Sequence, residues 1–548
     1  MQKIDCNAYE ELLEKFTLDV PENFNFAYDV LDAMALATPT ATAMVHVDDA
    51  GRAATYDFAW FKEQSDRLAS GLAAQGVAAG DRVMLILYRR VEFWVAMLAL
   101  HKIGAVPVPS PSLLTATDIE FRVNHAKIRC AIVEDSVDDR VDSARPECPS
   151  LALCVQVGEA PLRDGWVSYR DVVEQAGPFT APTPRPGGCD PLLVFFTSGT
   201  TGLPKMVSHD HCYPIGHWVT GVYWHDLREG DLHLTLADTG WGKAVWGKFY
   251  GQWMAKAAVF VWDFRGKFDP QGLLEILSEY KITSFCAPPT VYRFLIRQEL
   301  KKYDLSQLRH CTTAGELLNA GVFLAWKEAT GLPIYEGYGQ TETCLQIATL
   351  PFMEPKPGSI GRPAPGWELV LIDDAGEVCD VGQEGEICIR LDPKKPVGLF
   401  TGYLEEPGRT AAAMPDGYYH TGDKAWMDED GYFWFLGRTD DLIKSSGYRI
   451  GPFEVESALI THPAVMEAAV TGVPDPIRGQ AVKATLALAP GYEPSDDLTA
   501  DIQKHVKSVT APYKYPRIIE YVQDLPKTIS GKIKRAEIRA RDMKKYGK

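Results

Sequence analysis

The sequence predicts an α/β fold in which a large N-terminal part of layered α/β sheets carries a β-rich subdomain and is followed by a small α+β domain. Three observations predict it. At 548 residues the chain is too long for one hydrophobic core. Apolar β-rich runs alternate with helical patterns through its first part. The texture then changes twice, to short strands with Gly turns after Gly366 and to a mixed unit from about Arg438.

Residues 82–88 read as a buried strand, 91–103 as a helix and 105–109 as the next strand. Residues 257–262, 270–280 and 284–287 repeat that order. Strand–helix–strand units of this size argue for largely parallel sheets covered by helices. From 366 to 437, strands at 368–372 and 385–390 and turns at 374–376, 416–417 and 430–431 define the β-rich subdomain. A helix at 452–461, strands at 465–472 and 480–488, a helix at 495–509 and a strand at 517–522 complete the last unit. The expected domains are therefore 1–437 and 438–548, with the boundary at Gly437-Arg438-Thr439-Asp440.

Apolar content of 46% and charged content of 24% are those of a soluble globular protein. A net charge of −17 excludes a general binder of nucleic acid or anionic membrane. The charge is uneven: from Arg438 onward 18 Lys and Arg face 14 Asp and Glu, so a basic last domain sits on an acidic body. The 11 cysteines form no C-x-x-C pair and no zinc spacing. The N-terminus lacks a charged segment followed by an apolar one, and acidic residues enter early, against a signal or transit peptide. The most apolar stretch, 91–100, is too short to span a bilayer. A cytoplasmic location is the resulting expectation.

Five segments carry chemistry. Thr197-Ser198-Gly199-Thr200-Thr201-Gly202-Leu203-Pro204-Lys205 follows an apolar strand. Its glycines bring backbone N–H groups close to an anion, and its hydroxyls and lysine add donors, as in a phosphate cradle. It is not a Walker A loop, because Pro204 precedes the lysine and Met206 follows it. Tyr335-Glu336-Gly337-Tyr338-Gly339-Gln340-Thr341-Glu342-Thr343 combines small residues that admit a planar ligand, a tyrosine to stack on it and a carboxylate suited to a hard cation. Tyr419-His420-Thr421-Gly422-Asp423 offers an aspartate to a ribose diol. The fourth segment runs from Gly437-Arg438-Thr439-Asp440 to Lys444-Ser445-Ser446-Gly447-Tyr448-Arg449-Ile450, and the fifth is Pro526-Lys527-Thr528-Ile529-Ser530-Gly531-Lys532-Ile533.

In this order and spacing the five segments resemble those of the adenylate-forming superfamily of acyl-CoA synthetases, luciferases and adenylation domains. Segments such as Ala237-Asp238-Thr239-Gly240-Trp241 and Ala511-Pro512-Tyr513-Lys514-Tyr515-Pro516-Arg517 are most similar to the medium-chain acyl-CoA synthetases. The resemblance implies an AMP-forming acid:CoA ligase that uses ATP, Mg2+ and coenzyme A on a carboxylic acid, and a C-terminal domain that is mobile. It implies ATP binding by Thr197 to Lys205 (Ser198, Gly199, Thr200, Thr201, Gly202, Leu203 and Pro204 between them), by Gly315, Glu316 and Leu317, by Glu336, Gly337, Tyr338, Gly339, Gln340 and Thr341, and by Asp423, Arg438 and Lys532. Lys532, Thr341 and Glu342 are the expected catalytic residues, Glu342 the Mg2+ ligand and Asp440 the hinge. Ser446, Gly447, Tyr448, Arg478, Lys507, Tyr515, Pro516 and Arg517 are expected at CoA; Trp241, Gly339, Thr341 and Arg449 are expected near the acid.

Acetate-specific relatives place Trp where this chain has Gly339, so an acid larger than acetate is expected, with room in its pocket. No cation in the presumed pocket segment marks a second substrate charge, which favours a monocarboxylic acid. Three other activities share parts of this apparatus: a free-standing enzyme that loads a carrier protein, a luciferase-type oxygenase and a silent acid-binding protein. The silent reading expects a lost key residue, yet Lys205, Glu342, Asp423, Arg438 and Lys532 are all present. The sequence leaves monomer and homodimer open.

Overall fold

A computed structural model of the chain describes residues 3–4, 6–197, 204–446, 448–527 and 533–546. Two sheets dominate the N-terminal part. In one, the strands Val106–Pro109, Arg82–Ile86, Cys130–Glu134, Leu153–Val157 and Val167–Ser168 lie in that order, all parallel. The other has nine strands. Its parallel centre runs Ile334–Tyr338, His310–Ala314, Ser284–Cys286, Leu232–Thr235, Ala258–Trp262 and Thr42–Val47, with antiparallel strands at both edges.

Between the layers lies the helix Val91–Ile103. It is apolar on nearly every side, so it has no face for water, and it is buried from Phe93 through Ile103. It ends where Gly104 takes a left-handed φ of 73°, which spares the turn a Cβ penalty. Its buried ammonium, Lys102, is neutralised by Asp32 at 2.8 Å and Asp66 at 2.5 Å. Beside it Trp253 packs among Phe26, Phe58, Phe61 and Phe249 and donates its indole N–H to the Ala43 carbonyl at 2.9 Å.

The β-rich part is an antiparallel sheet of Leu369–Ile372, Glu384–Arg390, Tyr418–Met427 and Phe433–Arg438. It is less self-contained than the sequence texture implies. The two-residue strand Gly402–Tyr403 leaves it and pairs with Lys205–Asp210, which in turn pairs with Pro191–Thr197. A strand so short has no periodicity of its own, so only the pairing reveals it.

The last unit forms a sheet of Tyr448–Ile450, Ile443–Ser445, Gly479–Leu488 and Val465–Asp475, with Ile518–Val522 parallel to Gly479–Leu488. The helices Pro452–Ile460 and Asp496–Val509 cover it, the second capped by the Ser495 side chain on the Leu498 N–H. It has its own core, including Ile443, Val455, Leu459, Val470, Val482, Leu486, Ile502 and Val506. Asn319 ties it to the rest. Its Oδ1 caps the helix Ala320–Thr330 at the Gly321 N–H, and its Nδ2 donates to the Ser457 carbonyl at 2.9 Å. Phe453 packs on Phe435 with ring centres 5.4 Å apart. Among the described residues no helix is long and apolar enough to cross a membrane.

Trp253→Ala is expected to destabilise the large N-terminal part by about 3–5 kcal/mol, because the cavity adds to the lost burial. The urea midpoint followed by far-ultraviolet circular dichroism measures it.

Candidate active site

The hairpin of Pro191–Thr197 and Lys205–Asp210 sets Thr197 opposite Lys205, so the Gly-rich segment leaves and re-enters the sheet at one point. Ser198, Gly199, Thr200, Thr201, Gly202 and Leu203 lie outside the described residues. Lys205 Nζ donates to the Tyr403 hydroxyl at 3.4 Å and stands 4.9 Å above that ring. The same hydroxyl donates to Glu342 Oε1 at 2.9 Å. A cation, a phenol and a carboxylate are thus linked in series. Burial lowers the Lys205 pKa, and the Glu342 carboxylate opposes that shift. Tyr403 was not singled out from the sequence; the one signal, Gly402-Tyr403, gains meaning only from its pairing beside Lys205–Asp210. Next to Glu342, the Thr341 carbonyl accepts from His209 Nε2 at 2.8 Å, and burial pushes the His209 pKa down to about 3, which keeps that imidazole neutral.

Asp423 is the centre of a second cluster. It sits on Tyr418–Met427 directly across the ladder from Arg438. The Tyr338 hydroxyl and Gln340 Nε2 each donate to Asp423 Oδ2 at 2.6 Å, and Arg438 Nη1 lies 3.5 Å from Oδ1. Gln340 is itself held by the Tyr419 hydroxyl at 2.9 Å and bonds the Thr421 carbonyl at 2.8 Å. Burial and the Asp423 charge raise the Tyr338 pKa well above its ordinary value, so it remains a donor. Arg438 also reaches toward Asp440, 3.7 Å away.

The loop after His310–Ala314 opens with Gly315 at φ +97°, where a Cβ would meet nothing within 4 Å. Glu316 accepts from the Thr290 hydroxyl at 2.8 Å. Leu317 lies on the cluster of Ile347, Ile360 and Phe433, beside Tyr338. Glu336 departs from the expectation of a ligand-facing group. It is buried, and its Oε1 accepts the Leu318 N–H at 3.1 Å, so it fixes the 315–318 loop from behind. Burial pushes its pKa up to about 8. Gly337 is also closely packed: a Cβ there would lie 2.5 Å from the Trp224 indole.

Gly339 requires a correction. The expectation was open room beside it. A Cβ there would overlap the Trp246 indole and lie 2.6 Å from the Cys344 carbonyl oxygen. The room that glycine frees is occupied by Trp246, a side chain from the helix Gly242–Lys248 that no local pattern linked to Gly339. Trp241, half-buried, stands at the N-terminus of that helix, and the position of a Cβ on its neighbour Gly242 is 3.9 Å from the Thr341 methyl. Lys243 donates to the Ala314 carbonyl at 2.7 Å, so a cation does lie on this helix, turned toward the main chain.

Several of the residues expected at CoA contact one another within the last domain. The Ser446 N–H donates to the Arg478 carbonyl at 2.9 Å. Tyr448, half of it exposed, stacks on Tyr513 with ring centres 4.1 Å apart. Lys507 lies 3.9 Å and Arg517 4.7 Å from the centre of the Tyr515 ring, and Arg517 also donates to its hydroxyl at 2.7 Å. Pro516 is buried, its carbonyl taken by Gln503 at 3.0 Å. Tyr513 was missed by sequence reasoning. Arg449 lies on the strand Tyr448–Ile450, opposite Lys444. Gly447 and Lys532 lie outside the described residues.

The Thr197–Lys205 pairing, the Glu342 carboxylate near Lys205 and the Asp423–Arg438 pair are gathered around the turn 338–342, an arrangement that suits a nucleotide. The chain belongs to the AMP-binding enzyme family, matching it over residues 31–404 and its C-terminal domain over residues 454–532. It is 42% identical to the mitochondrial acyl-coenzyme A synthetase ACSM3 of Rattus norvegicus, over 97% of this chain and 93% of that protein. It is 42% identical to the mitochondrial acyl-coenzyme A synthetase ACSM5 of Homo sapiens, over 95% and 91%. Among solved structures it resembles the anthranilate CoA ligase AuaEII in complex with anthranoyl-AMP, with a TM-score of 0.88, 32% identity and coverage of 96% and 99%. These relatives correct one expectation: both synthetases are described as mitochondrial, which overturns the cytoplasmic location inferred from the N-terminus and cysteines.

Glu336 generates a pH prediction. Its folded pKa of about 8 lies above its ordinary 4.5, so the folded chain keeps a proton that the unfolded chain has lost. The stability this contributes is complete below 4.5 and is lost as pH rises to about 8. Glu336→Gln should therefore show a flatter dependence of the urea midpoint on pH across that window.

Proposed function

We propose that this AMP-forming acid:CoA ligase acts on a medium-chain, branched or aryl monocarboxylic acid and uses Mg2+ with its ATP. The observation that carries the reading is the junction of two clusters, Lys205–Tyr403–Glu342 and Tyr338–Gln340–Asp423–Arg438, on the single turn 338–342.

In the first half-reaction the acid carboxylate attacks the α-phosphorus of ATP and expels pyrophosphate. Two anions must meet, so the protein's task is alignment and positive charge. Lys205 and the Thr197–Pro204 segment take the β- and γ-phosphates. Asp423, pre-aimed by Tyr338 and Gln340, accepts the ribose hydroxyls. Gly315, where a Cβ meets open space, borders the adenine, while Glu336 holds that border in place. Thr341, its carbonyl fixed by neutral His209, presents its hydroxyl to the α-phosphate. Glu342 fits a hard cation: it is one nearly buried carboxylate beside the phosphate hairpin, and Mg2+ is commonly held by one or two carboxylates plus substrate phosphates. When bound there, Mg2+ would neutralise phosphate charge. Trp241 and Trp246 border the acid, and the aromatic walls suit an apolar or aryl chain.

In the second half-reaction a thiol attacks the acyl-adenylate and expels AMP. The stacked Tyr448–Tyr513 pair suits a nucleobase, and Lys507 and Arg517 suit the phosphates of CoA. This basic aromatic face favours CoA over a carrier protein as the acceptor. Domains 1–437 and 438–548 turn about Asp440, which brings Lys532 to the carboxylate only for adenylation.

Lys532→Ala is expected to reduce acid-dependent ATP–pyrophosphate exchange at least ~100-fold while thioester formation from supplied acyl-AMP persists. Equal loss of both steps would overturn the rotating-domain reading. A screen of straight, branched and aryl acids should show its highest kcat/KM on an acid larger than acetate; best activity on acetate would refute the assigned pocket.

A further inference from the structure

Glu386, Cys388 and His420 converge on the four-stranded sheet, and the ligase reaction uses none of them. The ladder brings them together. Glu386 and Cys388 are two residues apart on Glu384–Arg390, and Cys388 stands directly opposite His420 on the antiparallel neighbour. Cross-strand side chains in such a pair start about 5 Å apart. Cys388 Sγ lies 3.5 Å and Glu386 Oε2 3.1 Å from His420 Nδ1, and all three ligand atoms fall within 4.8 Å of one another. A tetrahedral ion with bonds of about 2.3 Å to sulfur and about 2.0 Å to nitrogen and oxygen has S···N edges of about 3.5 Å and N···O edges of about 3.3 Å. The two edges that meet at His420 Nδ1 are already near those spacings, and the third lies within 4.8 Å.

The surroundings orient the same three atoms. His420 Nε2 donates to Asp416, 3.1 and 3.2 Å from its two oxygens. In the neutral imidazole that bond turns the Nδ1 lone pair toward Cys388 and Glu386, the arrangement in which a carboxylate positions a metal-bound histidine. Glu386 Oε1 accepts the Gly422 N–H at 2.7 Å, which leaves Oε2 to face the imidazole. Nδ1 and Oε2 can be joined in two ways: burial lowers the His420 pKa but its bonds to Glu386 and Asp416 raise it more, so a second proton can bridge them, and a metal cation competes for the same place. A cation among them satisfies both. Cys388 is buried, whereas the side chains of Glu386 and His420 are 22% and 24% exposed, giving an ion a way in.

We propose that Glu386, Cys388 and His420 form a site for one borderline divalent ion of the Zn2+ class, with water as the remaining ligand. A sulfur, a nitrogen and a single carboxylate select such an ion over Mg2+, which prefers oxygen donors in an octahedron. The site is separate from the Glu342 position and does not depend on the ligase reading. An ion here would cross-link Glu384–Arg390 to Tyr418–Met427.

Untagged, metal-free full-length protein, kept reduced, is titrated with Co2+ and then Zn2+. The expected result is one equivalent of Co2+ with tetrahedral d–d bands and a thiolate-to-cobalt charge-transfer band, displaced by Zn2+. Cys388→Ser should abolish the charge-transfer band, and His420→Gln should weaken Zn2+ at least tenfold. Cys189→Ser, an exposed cysteine elsewhere, should change neither. Zn2+ should raise the Tm of the parent and not of His420→Gln. Should Cys388→Ser fail to fold by circular dichroism, His420→Gln and Glu386→Gln carry the test alone. An unchanged cobalt spectrum in folded Cys388→Ser, undiminished Zn2+ affinity in His420→Gln, or no uptake by the parent because a proton fills the cluster, would each overturn the proposal.

Discussion

The carboxylate of Asp423 is the constraint on which the site depends. Three donors reach it from two sheets: Tyr338 and Gln340 from the end of the nine-stranded sheet, and Arg438 from the neighbouring strand of the antiparallel sheet. A buried carboxylate without such partners would neutralise itself or cost several kcal/mol. With them, its direction is fixed. The same bonds set how the two sheets meet, because Gln340 also spans to Tyr419 and Thr421. If Asp423 takes the ribose, as proposed, its acceptor is built before any nucleotide arrives and little reorganisation is left for binding.

The second cluster follows the same logic through a different sheet. Lys205 and Glu342 come from segments 137 residues apart, and Tyr403 lies between them because a two-residue strand pairs beside the phosphate hairpin. A lysine and a glutamate in direct contact would neutralise each other and leave less for a phosphate or a cation. A phenol between them keeps each oriented without fully consuming either charge. Its hydroxyl proton stays in place, since burial and Glu342 both raise the Tyr403 pKa.

What was legible in the sequence was whatever is local. Helix Val91–Ile103, the parallel strands and most of the last domain carry periodicities that the chain states directly, whereas its short strands Ile443–Ser445 and Tyr448–Ile450 and its helix Arg535–Tyr546 were not read. The five motif segments are contiguous, so their loops and turns could be read as candidate ligand contacts. What was not legible depends on partners distant in the chain. Gly339 reads as space until Trp246 fills it. Glu336 sits inside a motif yet serves the Leu318 N–H. Tyr513 becomes notable only when it stacks on Tyr448, and Cys388 becomes more than a buried thiol only across the ladder from His420. Subcellular location was misjudged for a related reason: early acidic residues are a compositional cue, with no physical tie to the enzyme's site.

The domain junction shows how such a site can also move. Among the described residues, the contacts that join Pro452–Ile460 to the larger part include the Asn319–Ser457 hydrogen bond and the Phe435–Phe453 ring pair. One hydrogen bond contributes about 1 kcal/mol net and one aromatic pair about 0.5–1.5 kcal/mol. Reversing a two-state balance from 1:99 to 99:1 takes about 5.5 kcal/mol of differential binding. In the proposed mechanism, substrates that carry several phosphates would meet Lys532 in one orientation and Lys507 and Arg517 in the other, and so would supply that difference. Arg438 and Asp440 lie where the two parts join, 3.7 Å apart and two residues from each other. The strand ends at Arg438, where its register with Asp423 is fixed, so rotation must be taken up just beyond it. On the proposed mechanism the Asp423–Arg438 pair would stay intact while the last domain turned, and one nucleotide would serve both half-reactions without being released.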